Sequence, residues 1–575
     1  MKPPRIVRRT LPEELPELPG HPVLRRVFAA RGITAAEQIE YRLAGLLVPS
    51  LGGLEQACAI VGSAIRMRQR IVVVGDFDCD GATGTAVAVR GLRLLGASNI
   101  GYAVPNRLVH GYGLSPALVD ELAPQQPELI ITVDNGVAAH AGIAAARSRG
   151  MRVVVTDHHL PGPTLPEADA MVNPNLAGDA FPSKSLAGVG VMFYLLLALR
   201  ARLRTQGWFA EQAMAEPDLS TLLDLVALGT VADLVALDYN NRVLVEAGLR
   251  RIRNGRSCAG IAALFVSGKR DCSKASASDL GFVVAPRLNA AGRIDDISLG
   301  IECLLADDTL RATALADKLS TLNAERREMQ TDMTAQAEAT VHKWILQNGT
   351  ESLPFGLVLF DPDWHQGIVG LVASRLKDLL HRPVIACAPA GDSSEEVKGS
   401  GRSITGFHLR DVLADVDAAH PGLLGRFGGH AMAAGLSLQR SELARFAAAF
   451  DEAARRRLLP EQLDAVLPTD GSLEAADYTL DLALQLRSAG PWGQAFLEPL
   501  FDGEFDIAGT RTMGDVHLRL KLRQRGHDAV LDAVFFNADR YPPLAASIRA
   551  AFQLEIDEWN GTQSLRLLLR HVEPL

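Results

Sequence analysis

The 575-residue sequence lacks features that define several large classes of protein. Its six cysteines form no CxxC pair, which argues against a disulfide framework or a zinc ribbon and suits a reducing cytoplasm. No stretch approaches about 18 uninterrupted apolar residues, the minimum for a membrane span. The N-terminus is basic and then rich in Pro and Glu, without the apolar core of a signal peptide. We therefore expect a cytoplasmic protein with no membrane segment.

An excess of positive charge is lacking as well, because the net charge is −9. A protein that coats nucleic acid is usually basic overall, so any site for a polyanion must be local here. Hydrophobic residues make up 48% of the chain, which suits an ordinary globular protein. A chain of this length exceeds one core, and roughly three or four domains are expected.

What is present is a repeated pattern of short β-branched runs that end in aspartate. Residues 70–76, 128–134 and 152–157 each predict a strand buried on both faces, hence a parallel sheet with helices between its strands. Such sheets bind ligands beyond the carboxyl ends of their strands. The pattern therefore predicts an α/β domain with acidic side chains gathered at one edge.

Later segments have different patterns. Residues 307–346 contain no Pro or Gly and predict a long polar helix of the kind that bridges domains. A second, smaller α/β pattern begins at Phe355. Residues 516–523 alternate strictly, which predicts a half-buried strand of an OB-like barrel with a basic outer face. The predicted division is an N-terminal segment 1–50, a catalytic domain 51–305, a connecting helix 306–348, a second α/β domain 349–458 and a barrel 459–575.

The acidic and imidazole side chains at the predicted strand ends suggest a metal centre. Taken singly, each motif has a plain structural reading as an acidic loop, a turn or a helix-end aspartate. Together they place ligands for two divalent ions about 3.5–4 Å apart in one crevice. Mixed Asp and His ligands suit Mn²⁺ or similar ions better than Ca²⁺, and the choice between Mn²⁺ and Mg²⁺ stays open. The predicted ligands are Asp76, Asp78, Asp80, Asp134, His158 and Asp233.

Four short motifs resemble those of the DHH phosphoesterases and occur in the same order. They are GDFDCDG (75–81), VDNG (133–136), TDHH (156–159) and GTVAD (229–233). The stretch 428–430 with 433–435 resembles the signature of the DHHA1 domain that usually follows. Further stretches are similar to the bacterial single-strand-specific 5′ exonucleases of this family. They are residues 105–107 together with 111–115, residues 285–293 and residues 364–376. The resemblance runs from about residue 50 to the C-terminus. Val74 replaces the histidine of the pyrophosphatase-type motif, which leaves Asp76 as either a ligand or a carboxylate that orients one.

The resemblance implies a reaction and the residues that serve it. The expected reaction is two-metal hydrolysis of single-stranded DNA from the 5′ end, with His159 stabilising the phosphoryl group or protonating the leaving oxygen. Arg375, Ser400 and Arg402 are implied as a pocket for the 5′ phosphate, although a flexible basic loop is the plainer reading. The other catalytic candidates are Asp157, Arg287, Asn289 and His430; the other DNA-binding candidates are Arg107, Arg293, His517, Arg519, Lys521 and Arg523.

Two rival functions remain open at this point. The first is a small-substrate phosphodiesterase or pyrophosphatase of the same family, which would not need the basic strand 516–523. The second is a scaffold that binds DNA without cleaving it, which the complete set of acidic and imidazole residues disfavours. Helicase and single-strand-binding-protein partners are implied by the resemblance alone, and we expect a monomer.

Overall fold

The computed structural model describes residues 3–106, 111–349, 352–391, 395–514, 516–559 and 561–575. The chain begins with β1 (Arg5–Arg8) and α1 (Pro22–Ala29). The first domain then alternates helices and strands: α2 (Leu54–Arg66), β2 (Ile71–Val74), α3 (Cys79–Leu94), β3 (Ile100–Ala103), α4 (Pro116–Leu122), β4 (Leu129–Val133), α5 (His140–Ser148), β5 (Arg152–Thr156) and β6 (Ala170–Val172).

Strands β2 to β6 form one parallel sheet in the order β3-β2-β4-β5-β6, as the apolar runs predict. Strands β2 and β4 are buried along their whole length because helices cover both faces of the sheet. A helical layer completes the domain: α6 (Gly188–Thr205), α7 (Trp208–Glu211), α8 (Leu223–Ala232), α9 (Tyr239–Arg253), α10 (Ala259–Ser267), α11 (Ala277–Asp279), α12 (Ala285–Ile294) and α13 (Ser298–Leu305). A π-helical turn, Leu280–Val284, links α11 to α12.

The predicted bridging helix is α14 (Thr309–Asn348), a continuous helix of 40 residues. Its first half packs into the core of the first domain through Ala312, Ala316 and Leu319. Its second half packs into the core of the next domain through Met333 and Ala337. Each half therefore has a narrow apolar stripe that packs into a different domain. Because the rest of the helix surface is mostly polar, the helix is polar on average.

The second α/β domain has a five-stranded sheet in the order β10-β11-β9-β8-β7, in which only the β7–β8 pair is parallel. Its core is separate from that of the first domain. The elements are β7 (Leu357–Phe360), α15 (Val369–Leu380), β8 (Val384–Pro389), β9 (Glu396–Arg402), α16 (Leu409–Ala419), β10 (Arg426–Gly429), β11 (Ala433–Gln439) and α17 (Leu443–Arg457).

The C-terminal part is the expected closed barrel of five strands, in the order β13-β14-β15-β17-β16. In β14 the predicted alternation is confirmed, because Leu520 and Leu522 are buried while Arg519, Lys521 and Arg523 are exposed. The elements are β12 (Val466–Thr469), α18 (Leu480–Ser488), β13 (Phe501–Met513), β14 (His517–Gln524), β15 (Val530–Phe535), β16 (Ser547–Trp559) and β17 (Thr562–Pro574).

The two ends of the chain meet in this part of the molecule. Strand β1 pairs in parallel with β12, and Arg8 binds the buried carboxylate of Asp502 through two nitrogens. Arg31 pairs with the buried Asp470 at 2.8 Å. The N-terminal segment is therefore joined to the C-terminal part of the chain rather than standing apart. Among the described residues, no helix combines the length and apolar character that crossing a membrane requires.

Candidate metal centre and nucleic-acid interface

The carboxyl edge of the first sheet gathers the acidic and imidazole side chains, as the strand pattern predicts. Asp76 and Asp78 follow β2, Asp134 follows β4, and His158 lies two residues beyond β5. Asp233 arrives from a different direction, at the C-terminal end of α8. Three overlapping groups have potential ligand atoms within 4.8 Å of one another: Asp76, Asp78 and Asp134; Asp134, His158 and His159; Asp80, His158 and Asp233. All six predicted metal ligands therefore meet in one cluster.

Two atoms at the centre of this cluster are suited to binding a cation. Asp134 Oδ1 and His158 Nε2 lie 3.1 Å apart, and both are buried without a hydrogen-bond partner among the described residues. Burial and the charge of His159 lower the pKa of His158, so its imidazole is neutral. Two buried polar atoms that face each other in this way are satisfied either by a shared proton or by a cation that both coordinate. The donor set therefore fits divalent ions.

The electrostatics of the carboxylates lead to the same conclusion. Burial raises the pKa of Asp80 and of Asp233, each to about 7, and the charge of a neighbouring carboxylate adds to both shifts. Burial and the charge of Asp80 also raise the pKa of Asp134 well above its usual range. Ionised carboxylates crowded in this way repel one another unless cations lie between them.

The loop after β2 is shaped by close packing and by capping. Asp78 caps α3, and its Oδ1 accepts hydrogen bonds from the backbone of Asp80 and Gly81, each at 3.0 Å. A Cβ on Gly81 would lie 2.5 Å from the backbone of Asp76, so only glycine fits there. The side chain of Asn289, on α12, accepts from Cys79 N at 2.8 Å and fixes the same loop. Asn289 therefore supports the ligand loop, and its direct part in catalysis stays a prediction.

Two further glycines bring α6 and α8 up to the ligands. Gly188 N and Val189 N, at the start of α6, donate to the carboxylate of Asp80 at 2.6 and 3.0 Å. A Cβ on Gly188 would lie 2.4 Å from that of Asp134. A Cβ on Gly229 would lie 2.7 Å from Asp80 Oδ1, so the glycine of the GTVAD motif allows the approach that brings Asp233 into the cluster.

Asp157 serves the two histidines that follow it and is itself fully hydrogen-bonded. Its Oδ1 accepts from the backbone of His158 and lies 2.8 Å from His159 Nδ1, and its Oδ2 accepts from Val137 N. Burial opposes ionisation of Asp157, but the hydrogen bond with His159 lowers its pKa below the usual range. Burial likewise opposes protonation of His159, yet Asp157 raises the pKa of His159 to about 9. Asp157 is therefore a positioning residue, and His159 carries a proton at neutral pH.

Two asparagines and one tyrosine that complete the site were not among the sequence-predicted site residues. Asn173 and Asn175, directly after β6, donate from their side-chain amides to the carbonyls of His159 and His158. The Tyr112 hydroxyl donates to the Asp134 carbonyl at 3.0 Å and lies 3.2 Å from His159 Nδ1. A strand run followed by Asn-Pro-Asn was the available signal for the asparagines. The sequence offered only a weak signal for Tyr112.

The second α/β domain reaches this site through the hairpin between β10 and β11. The ring of His430 stacks on that of His159, with centroids 5.4 Å apart and an interplanar angle of 26°. Burial and the charge of His159 lower the pKa of His430. His430 therefore lies on the opposite wall of the cleft from the metal ligands.

The residues suggested for the 5′ phosphate lie on the same domain. Ser400 and Arg402 are paired with Gly435 and Ala433 of β11, next to the hairpin that carries His430. The Arg402 guanidinium is 3.0 Å from Ser400 Oγ. A Cβ on Gly370, in the first turn of α15, would meet both side chains at 2.8 to 3.0 Å, so they lie against that helix start. Arg375 is exposed one turn further along α15.

Other predicted contacts are more dispersed. Arg293 donates to the Gly367 carbonyl at 3.2 Å and so joins the two α/β domains. On the barrel, Arg519 and Lys521 both approach Asp532, at 3.7 and 2.9 Å, which partly neutralises the basic face. Arg523 is exposed there, while His517 accepts from Asn537 N and packs against Phe536. Arg107 lies outside the described residues.

Arg287 contacts the bridging helix. It belongs to α12, which packs along α14. Its guanidinium faces α14, where Nε donates to Ser320 Oγ at 2.9 Å. Asn289 and Gly292, on another side of α12, contact the ligand loop. The catalytic role of Arg287 stays a prediction.

Comparison with known proteins agrees with this architecture. The DHH family, N-terminal domain, matches residues 70–230, the DHHA1 domain matches 354–456 and the RecJ OB domain matches 469–571. The chain is 50% identical to the single-stranded-DNA-specific exonuclease RecJ of Dickeya dadantii, over 98% of this chain and 97% of that protein. It is 49% identical to RecJ of Escherichia coli, with the same coverage.

A solved structure extends the likeness to three dimensions. The crystal structure of RecJ from Thermus thermophilus in complex with Mn²⁺ matches with a TM-score of 0.80 at 30% identity, covering 99% of this chain and 79% of that one. A parallel sheet with Asp and His ligands at its carboxyl edge, followed by a DHHA1 domain, defines a metal-dependent DHH phosphoesterase. With the C-terminal barrel and identity near 50% along its length, the chain belongs to the RecJ family.

Proposed function

We propose that the protein is an exonuclease that degrades single-stranded DNA from the 5′ end with two divalent ions, Mn²⁺ or Mg²⁺. The observation that carries this proposal is the meeting of six acidic and imidazole side chains at one sheet edge, opposite His430 of the second domain. Close relatives bear the name single-stranded-DNA-specific exonuclease, and a role in recombination and repair is typical of that family.

The residues of the chain have distinct tasks in this reaction. The two ions would be held by Asp76, Asp78, Asp80, Asp134, His158 and Asp233. When bound, the ions supply Lewis-acid activation of the phosphodiester and of the attacking water. Asp157 holds Nδ1 of His159, and Nε2, which lies 3.3 Å from the Tyr112 hydroxyl, would give a proton to the leaving 3′ oxygen. Water adds to phosphorus as the bond to that 3′ oxygen breaks. The remaining strand therefore keeps a 5′ phosphate.

A pocket for that 5′ phosphate follows from the arrangement of the second domain. Ser400 and Arg402 adjoin the first turn of α15, whose backbone N–H groups favour an anion, and a guanidinium can bind phosphate through two nitrogens. The β9–β11 pairing puts them beside the hairpin of His430, so one nucleotide could span the distance to the metal cluster. Each cycle would then create the group that the pocket binds next.

End-labelled substrates test the direction of digestion. With Mn²⁺, a 5′-labelled single strand should release labelled mononucleotide first, and an equivalent duplex should be resistant. Arg402→Gln should weaken the preference for a 5′-phosphorylated over a 5′-hydroxyl strand, whereas Arg456→Gln, an exposed change on α17, should not. Release of label from the 3′ end first would refute the proposed polarity.

Variants of the barrel distinguish the proposed nuclease from the rival function, a small-substrate phosphodiesterase. The barrel and the first domain share one hydrophobic core, so point variants are cleaner than a deletion. Arg523→Gln should weaken binding of a long strand more than hydrolysis of a dinucleotide. Equal effects on both substrates would favour the rival. We further propose a monomer in the bacterial cytoplasm that works with a helicase and a single-strand-binding protein.

A further inference from the structure

Three arginines where α12 meets α14 have no acidic partner. Arg287 donates to Ser320 Oγ and to the backbone carbonyl of Val283, and Arg326 donates to the side-chain oxygens of Asn323 and Gln330. Among the described residues, no carboxylate lies within ion-pair distance of Arg287, Arg326 or Arg327. Burial and the charge of Arg327 lower the pKa values of the other two. A surface that carries several cations without counterions attracts an anion from outside the chain.

Helical periodicity shows how Arg287 and Arg327 lie relative to the barrel. Ser320, Arg327 and Glu338 are separated by about two and three helical turns, so they share one face of α14. Arg287 contacts this face at Ser320, and Arg540 of the barrel approaches it at Glu338, at 3.7 Å. Arg327 between them is exposed. The face is therefore covered at both ends and open in the middle.

The barrel also contacts the segment of the first domain that leads into α11 and the π-helical turn. Lys274, in this segment, forms an ion pair with Glu558 at the end of β16. The barrel thus contacts both the helix face that carries Arg327 and the segment that precedes Arg287. These contacts make the open surface continuous with the barrel that we propose to bind DNA.

An exposed aromatic ring accompanies the cations. Phe282 is 75% exposed on the π-helical turn Leu280–Val284. The carbonyl of the next residue, Val283, accepts a hydrogen bond from Arg287. On the other side, Gly281 packs against Val231 of α8, the helix that ends at Asp233. Phe282 therefore lies between the metal-ligand helix and the cationic face, and π-helical turns are frequent at functional sites.

We propose that Phe282, Arg287 and Arg327 form a track that binds the single strand beyond the nucleotides held at the metal centre. The guanidinium groups of Arg287 and Arg327 would contact successive phosphates, and the ring of Phe282 would stack on a base. This inference rests on the proposed nuclease function and names the surface that takes the strand. Unpaired cations beside an exposed aromatic ring fit a polyanion with π faces better than an acidic protein segment.

The test compares binding and hydrolysis of long and short strands by the full-length protein. Binding of a 20-nucleotide oligothymidine is measured in EDTA, which withholds the metals and keeps the strand intact. Hydrolysis with Mn²⁺ is measured for the same strand and for a trinucleotide. The variants are Arg327→Gln and Phe282→Ala. Lys318→Gln is the matched control, because Lys318 is exposed about two and a half turns from Arg327 and so points to the opposite side of α14.

Arg327→Gln should weaken binding of the 20-mer several-fold and reduce the slope of its salt dependence by about 0.7 for the lost phosphate contact. Phe282→Ala should weaken binding by about 5- to 150-fold. In both variants the ratio of kcat/KM for the 20-mer to that for the trinucleotide should fall, and Lys318→Gln should behave like the wild type.

The outcomes separate this inference from the function on which it rests. If the wild-type protein neither binds nor cleaves single strands, the proposed function fails. If the wild type does both and the two variants bind the 20-mer with unchanged affinity and salt slope, the track is refuted and a protein partner becomes the occupant to seek. An equal loss for both substrates would also overturn the track, because it would place the effect at the metal centre.

Discussion

The imidazole of His430 stacks on that of His159 at a centroid distance of 5.4 Å, although the two residues belong to different domains. His159 is hydrogen-bonded to Asp157, so its position in the first domain is fixed independently. The contact therefore brings the DHHA1 domain against the residue that we propose as the proton donor. Catalysis should depend on this second wall even though it contributes no predicted metal ligand.

His430→Ala should reduce kcat by about 10- to 100-fold, because the group facing the proton donor is lost while the metal ligands stay in place. Steady-state kinetics on a single strand and calorimetric binding of Mn²⁺ check the two parts of this expectation. His420→Ala, a histidine elsewhere in the same domain, is the control and should leave both unchanged. Reduced Mn²⁺ affinity in His430→Ala would contradict the assignment to the cleft wall.

Asp134→Asn should abolish hydrolysis, with a loss of at least about 100-fold, and should weaken Mn²⁺ binding. Asp134 has a φ of 63°, a left-handed conformation that asparagine also tolerates, so the variant removes the charge without straining the backbone. Activity, Mn²⁺ titration and the melting temperature are the measurements. Asp120→Asn on the surface is the control. Wild-type turnover in Asp134→Asn would remove Asp134 from the metal centre.

Asn173→Ala should lower Mn²⁺ affinity by about 10- to 100-fold, because the side-chain amide that fixes the carbonyl of His159, the residue next to the ligand His158, is lost. Unlike the loss of a ligand, this defect should be overcome by raising the Mn²⁺ concentration until kcat recovers. A metal titration of initial rates measures the effect. A low kcat that saturating Mn²⁺ does not restore would show that Asn173 acts in some way other than by positioning the histidines.

Metal binding should strengthen as pH rises. In the metal-free protein the pKa values of Asp80 and Asp233 are raised to about 7. The folded state therefore holds more protons than the unfolded state above the usual carboxylate pKa, and these groups destabilise the metal-free fold as pH rises towards 7. Bound cations offset that repulsion and displace the protons.

The increase in melting temperature caused by Mn²⁺ should therefore be larger at about pH 7.5 than at about pH 5.5. Thermal unfolding with Mn²⁺ and with EDTA at both pH values gives this difference. Asp134→Asn should remove most of the increment at either pH. An increment that is independent of pH in the wild type would argue against proton displacement from Asp80 and Asp233.

Gly229→Ala should reduce activity and Mn²⁺ affinity although alanine favours helices. The added Cβ would lie 2.2 Å from Thr83 Oγ1 and 2.7 Å from Asp80 Oδ1, so α8 must move and take Asp233 with it. The control is Gly101→Ala, because no atom lies within 4 Å of a Cβ at that position. Normal Mn²⁺ binding in Gly229→Ala would show that Asp233 does not depend on this close approach.

Local pattern accounts for much of the fold and part of the site. The β-branched runs before Asp76, Asp134 and Asp157 predicted buried parallel strands, and parallel strands bring their carboxyl ends to one edge. The alternation around Leu520 and Leu522 predicted a barrel strand in the same way. These features follow from sequence because side-chain periodicity is set by the backbone of a single element.

Other parts of the site were decided by packing between elements. The side chain of Asn289 supports the ligand loop, and Arg287 faces α14, because the orientation of α12 depends on both its neighbours. The approach of Asp233 depends on the contact of Gly229 with α3, and the stacking of His430 on His159 depends on how two domains meet. Sequence alone determined which side chains lie at strand ends. Only tertiary packing, which joins residues far apart in the chain, decided which of them face one another.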